Sequence, residues 1–282
     1  MLKKLLKYEF KSVGRKIVPL LLGTLALSII STVLFTANFR ILSDGSTSGF
    51  NPMMSILVTT VMFFAIIAII ASVFVAFFML MHRYYKNFFG DEGYLTFTLP
   101  VNVNQHITVK LISGFIWTVL SYLTIFISVI TLLIFGTAER GQIVNYEIIN
   151  KLRDFFGSIM EYIGRTNAVL YIIEGLILAI VYLLSMLLLF YLSITIGSII
   201  AKKHKILTSI GVYFGINTVT GIITNTMFYS IFSRDNIWII RITSLYKASH
   251  INLWCLIILY TILGGIAFVI CNKMISKKLN LE

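Results

Sequence analysis

Charge is what this chain has least of. Only 12% of its 282 residues are Asp, Glu, Lys or Arg, while 58% are hydrophobic, and soluble domains carry about a quarter charged residues. With a mean hydropathy of +0.93, the composition excludes a soluble globular domain and predicts an integral membrane protein. Cysteine is nearly absent: Cys255 and Cys271 lie on one apolar segment. On a single helix they would be roughly 24 Å apart, too far to bridge. There is no GxxxxGKS/T loop for a nucleotide, no HExxH or CxxC for a metal and no GxSxG nucleophile turn. Nothing in the chain points to an enzyme, so no cofactor is expected on it. The four histidines, His82, His106, His204 and His250, fall at span ends without the cysteine or carboxylate neighbours of a metal site. Ionisable groups are almost missing from the apolar runs, which argues against an ion-coupled pump with relay carboxylates.

What is present is long apolar runs and a basic excess, 23 Lys and Arg against 11 Asp and Glu. Such an excess beside membrane spans orients the chain and needs no nucleic-acid partner. Leu2, Leu5, Leu6, Phe10, Val13 and Ile17 follow helical spacing, with Lys3, Lys4, Lys7, Lys11, Arg15 and Lys16 mostly elsewhere. Residues 1–16 therefore predict a basic amphipathic helix in the membrane interface. A cleaved signal peptide is the rival, disfavoured because no small-x-small site closes the apolar run.

Six runs follow, about 17–39, 53–81, 107–137, 168–201, 206–232 and 251–272, each long enough to cross a hydrocarbon core of roughly 30 Å. The expected fold is an all-α membrane protein of six transmembrane helices, one domain over residues 1–282. Between the third and fourth runs, residues 138–166 place Ile148, Ile149, Leu152, Phe155, Phe156, Ile159, Met160 and Ile163 at helical spacing among charges. This predicts an amphipathic helix outside the bilayer core, capping the spans or lying on the surface. Basic residues on alternate sides number fifteen against eight. Both termini and the 82–110 connection are thus expected in the cytoplasm of a multi-pass cell-membrane protein.

That connection carries unusual apolar surface. Tyr84, Tyr85, Phe88, Phe89, Tyr94, Leu95, Phe97 and Leu99 alternate with Arg83, Lys86, Asp91 and Glu92, between Gly90, Gly93 and Pro100. A solvated tether gains nothing from such residues, so we read a docking surface for another protein. Asp91 and Glu92 suit the amino end of a short helix that Pro100 would stop. Leu95 to Leu99, however, alternates in a β-favouring way and leaves an extended segment open. The bland alternative is an interfacial aromatic belt with no partner.

Two further features lie inside the spans. Glu174, near the outer end of the fourth, either reaches the interface, pairs with a basic residue such as Arg165, or lines a path for cationic substrates. In the fifth, Asn217, Thr220, Gly221, Thr224 and Asn225 follow Gly211 and Gly215. They form interhelical glue or line a pathway between two copies of the domain.

The basic start, the six runs and the phrase RYYKNFFGDEGYLTFTLPVNVNQHITVKL together resemble the membrane-spanning subunits of ABC-2-type ABC exporters of low-GC Gram-positive bacteria. The resemblance implies that the 82–110 loop holds a coupling helix seated in a groove of a separate cytosolic ABC ATPase subunit. Phe88, Phe89, Gly90, Asp91, Glu92, Gly93, Tyr94, Leu95, Phe97, Leu99 and Pro100 would then form the docking element. ATP and Mg would belong to that ATPase, not to this chain. It also implies a second membrane subunit, identical or different, with the substrate path between the two. Glu174, Asn217, Thr220, Thr224 and Asn225 are the candidate lining. The expected cargo is an amphipathic or antimicrobial peptide or another membrane-partitioned molecule. The rival functions are a membrane scaffold or sensor subunit and an ion-coupled carrier without an ATPase partner. A P-loop ATPase encoded beside this chain would favour the exporter.

Overall fold

A computed structural model describes residues 2–43, 52–90, 92–94, 98, 101–136, 145–163, 165–201, 203–232 and 245–278. These residues form seven helices and no strand: α1 (Leu2–Ser43), α2 (Pro52–Phe89), α3 (Val103–Gly136), α4 (Tyr146–Ile163), α5 (Arg165–Ile200), α6 (Lys205–Phe232) and α7 (Leu245–Lys278). All but α4 are long and apolar enough to span a bilayer, so the protein is an all-α membrane protein with six spans among the described residues.

Helix α1 departs from the expected interfacial helix followed by a separate span. It runs unbroken from Leu2 to Ser43, with Pro19 inside it. Val13, Gly14, Ile17, Leu21, Thr24, Ser28, Ser31 and Thr32 are all buried, at spacings of mostly three or four. The apolar face read at the amino end is therefore the first part of one continuous packing face, and from Val13 onward it turns towards protein.

The ends of α2 and α3 also differ from expectation. His82–Phe89, read as loop, continues α2, because no helix breaker intervenes before Gly90 and because Tyr84 and Phe88, one turn apart, are both buried. Helix α3 likewise starts at Val103, and α7 begins at Leu245, ahead of the expected 251.

The chain forms two compact units. One comprises residues 7–80 and 116–159. Here Phe10 packs on Trp117 with ring centroids 5.1 Å apart. Gly14 lies so close to that indole that an added Cβ would sit 2.8 Å from Cζ2. The unit is rich in buried hydroxyls. Thr24 donates to the Leu21 carbonyl, Thr32 to Ser28, Ser72 to Ile69, and Ser121 to Trp117. These four protons are satisfied within their own helices, and the short side chains permit close helix approach.

The other unit comprises residues 1–6, 81–115 and 160–282. Helix α5 packs against both α6 and α7. Ser185 Oγ donates to the Tyr260 carbonyl at 2.5 Å, and Gly264 makes room for it. Phe190 stacks on Tyr213 at 3.8 Å.

Candidate functional site

The end of α2 is built around Tyr84. Its ring lies parallel to that of Tyr191 on α5, centroids 4.1 Å apart and planes within 4°. Thr195 Oγ1 already donates to the Tyr191 carbonyl, so the Tyr84 hydroxyl donates to Thr195, at 3.0 Å. The Tyr191 hydroxyl donates to the Lys110 carbonyl at 3.2 Å, tying α3 to the same point. One turn beyond Tyr84, Phe88 is fully buried, with the Lys110 ammonium 5.5 Å from its ring centroid.

The chain then folds back on the helix end. Gly90 is required there, because a Cβ would lie 2.9 Å from the Lys86 carbonyl oxygen. The Gly93 amide donates to the Gly90 carbonyl at 2.9 Å, and the Thr98 amide to Tyr94, four residues back, at 3.2 Å. Lys86 Nζ is 2.9 Å from Glu92 Oε1. The Asn87 amide, oriented to satisfy its neighbours, donates to Glu92 Oε2 and the Arg83 carbonyl and accepts from Lys110 Nζ. The hydrogen bond from Lys86 holds the Glu92 carboxyl below its ordinary range, with the charges of Lys86, Arg83 and Lys110 in support and partial burial opposing. Tyr94 is left 66% exposed at the tip.

The predicted docking residues thus separate. Phe88 is core rather than surface, since its aromatic ring fills the space under the turn, and Gly93 is buried as well. Phe89, Gly90 and Glu92 are half-buried and Tyr94 is exposed. Asp91, Leu95, Phe97, Leu99 and Pro100 lie outside the described residues, and with them the choice between helix and extended chain over 95–97. Of the three residues that pin the turn, Lys86 and Lys110 read only as charges interleaved with the aromatics, and Asn87 did not stand out at all. The signal available was Lys86 six positions before Glu92, too far for a helical pair and legible only once the chain is known to reverse at Gly90.

Glu174 occupies a second polar site. Its carboxylate is buried, with His250 Nδ1 2.6 Å from Oε2 and Trp254 Nε1 donating to Oε1 at 2.9 Å. Tyr171 stacks on the His250 ring at 4.0 Å and hydrogen-bonds Ser249. Both carboxylate oxygens are therefore engaged by α7, and Glu174 joins α5 to α7 within one chain. The expected partner Arg165 has a side chain outside those described. No local spacing links residues 174 and 250, so this pairing had no sequence signal.

The expected stripe on α6 divides. Thr220 is buried and Thr224 half-buried, with hydroxyls donating to the Asn217 and Gly221 carbonyls. Asn217 and Asn225 are exposed, and nothing lies within 4 Å of a Cβ placed on Gly211, Gly215 or Gly221. Among the described residues no group of three His, Cys, Asp or Glu could hold a metal ion; Cys271 is buried and Cys255 half-buried, both as free thiols.

These features define a multi-pass α-helical membrane protein with a braced connection between its second and third spans. No protein-family model, curated protein or solved structure matches the chain.

Proposed function

We propose that this chain is the membrane-spanning subunit of an ATP-driven exporter of the ABC-2 type, working with a cytosolic ABC ATPase and a second membrane subunit. The observation that supports this reading is the α2–α3 turn. Lys86, Asn87 and Lys110 clamp it, while Tyr94 is held outward with most of its ring uncovered. An idle tether needs no such bracing, whereas a force-transmitting contact requires an apolar anchor on a rigid base. In this reading the ATPase binds ATP and Mg and the present chain supplies the path. Both termini and the turn face the cytoplasm of the cell membrane, in keeping with the basic-residue count. The cargo is an amphipathic or antimicrobial peptide or a similar membrane-partitioned molecule, which suits apolar spans bearing hydroxyls.

The test is a search for a P-loop ATPase encoded beside this chain and co-purification with it, comparing wild type with a Tyr94→Ala, Phe97→Ala double variant. Loss of the ATPase and of ATP-dependent export of a labelled amphipathic peptide, with the membrane domain still folded, is the expected result. Unchanged capture and export would remove the assignment. The Glu174–His250 pair is the one observation that favours an ion-coupled carrier. Uptake or efflux driven by a proton gradient alone, abolished by Glu174→Gln, would select that reading instead.

A further inference from the structure

Helix α4 leaves an apolar face uncovered. Phe155 and Phe156 are 60% and 58% exposed, and Leu152 and Met160 are exposed beside them. In water such a face would be a liability, so its occupant has to be identified. Three observations identify it, and none depends on the transporter reading.

The first is how α4 is attached. Asn145 caps the helix, its Oδ1 accepting from the Ile148 amide at 3.1 Å, which satisfies one of the free amides of the first turn. The backbone amide of the same residue donates to the Ile134 carbonyl at 2.8 Å, in the last turn of α3. A single residue therefore starts α4 where the third span ends. The second observation is the other end: α4 closes at Ile163 and α5, the fourth span, opens at Arg165. Consecutive spans are joined on one side of a bilayer. A helix of 18 residues, about 27 Å long, thus connects two spans on the same side of the membrane.

The third observation is the order of charges around the helix. At about 100° per residue, Glu147, Asp154 and Glu161 recur along one line, opposite Leu152 and Phe156. Lys151 and Arg153 fall on the two borders between that line and the apolar face. A protein groove would not require this order, but a lipid surface does. Border lysine and arginine lay their stems along the acyl region and raise their charges to the phosphates, while carboxylates are kept farthest from them. Glu147 is paired with Lys151 at 2.5 Å, which also steadies the first turn.

We infer that α4 is an interfacial helix that binds the lipid surface, with Phe155 and Phe156 among the upper acyl chains. The experiment uses the full-length protein in phosphatidylcholine vesicles, comparing Phe155→Trp with Ser158→Trp on the charged side, each after subtraction of the emission from the three native tryptophans. Both positions are exposed, so folding is spared. The added tryptophan at 155 is expected to emit to the blue and to lose most of its emission in lipid brominated near the glycerol end of the chains. The one at 158 is expected to emit to the red and to be quenched by iodide instead. Iodide quenching at 155 would place that face in water, and insensitivity of 155 to both quenchers would place it under protein, a second copy included. Either result overturns the inference.

Discussion

The rings of Tyr84 and Tyr191 lie face to face, 4.1 Å between centroids and within 4° of parallel, and their hydroxyls bond different partners. Tyr84 bonds Thr195 and Tyr191 bonds the Lys110 carbonyl, so α2, α3 and α5 meet at one stacked pair. Removing only the Tyr84 hydroxyl with Tyr84→Phe forfeits its buried bonds to Thr195 and Cys271, a loss of about 1–2 kcal/mol. Tyr84→Ala also opens a cavity and should cost about 3–5 kcal/mol. Thermal unfolding in detergent should rank the variants in that order. Equal midpoints for all three proteins would show that the stack carries no stability.

Gly14 and Gly23 share a helix but not an environment. A Cβ on Gly14 meets the Trp117 indole at 2.8 Å, whereas one on Gly23 meets nothing within 4 Å. Gly14→Ala is therefore expected to destabilise by about 1–3 kcal/mol through overpacking. Gly23→Ala should be neutral or slightly stabilising, because helical glycine costs up to about 1 kcal/mol relative to alanine. A matched pair of melting curves checks the contrast.

Glu174 gives the α5–α7 contact its polar character. Glu174→Ala leaves the His250 nitrogen and the Trp254 indole N–H without their acceptor, at a cost of about 1–3 kcal/mol. Glu174→Gln keeps an oxygen for Trp254 and should fall between that variant and wild type. In a double-mutant cycle, Glu174→Ala and His250→Ala together should cost less than the sum of the two. Strict additivity would mean the two side chains are near each other without interacting.

The Lys86–Glu92 pair sets how the turn responds to acid. Because the folded carboxyl is held below its ordinary range, its contribution is present above the unfolded-state value, near 4.3. It is lost as pH falls through the folded-state value. Protection of the Gly93 amide, its exchange measured against the intrinsic rate at each pH, should therefore be held at neutral pH and fall only in acid. Glu92→Gln should bring the loosened behaviour to neutral pH. The pair is largely solvent-exposed, so the expected effect on global stability is small, about 0–1 kcal/mol.

The six spans were legible because each is an uninterrupted apolar run, and α4 because its apolar residues recur at helical spacing over charges. The tip of α2 was not. Tyr84, Tyr85, Phe88 and Phe89 read as an aromatic loop, since sequence alone does not tell an aromatic side chain offered to a partner from one filling a core. Tyr191, far along the chain, lies against Tyr84, and His106 and Lys110 lie against Phe88. The α6 stripe divides in a way the sequence does not show: Asn217 and Thr220 are one turn apart, yet Asn217 is exposed and Thr220 buried. The start of α4 was not legible: Asn145, which caps it, did not stand out within residues 138–166.

Asn87 gives the turn a chemical selectivity that shape alone would not. Its amide presents hydrogens to Glu92 and the Arg83 carbonyl and an oxygen to Lys110. Two near-isosteres fail there for opposite reasons: leucine has the volume but no polarity, and aspartate has the oxygen but turns two attractions into repulsions. Spontaneous deamidation at this one position would therefore unlatch the connection from within, with no change in the size of the side chain.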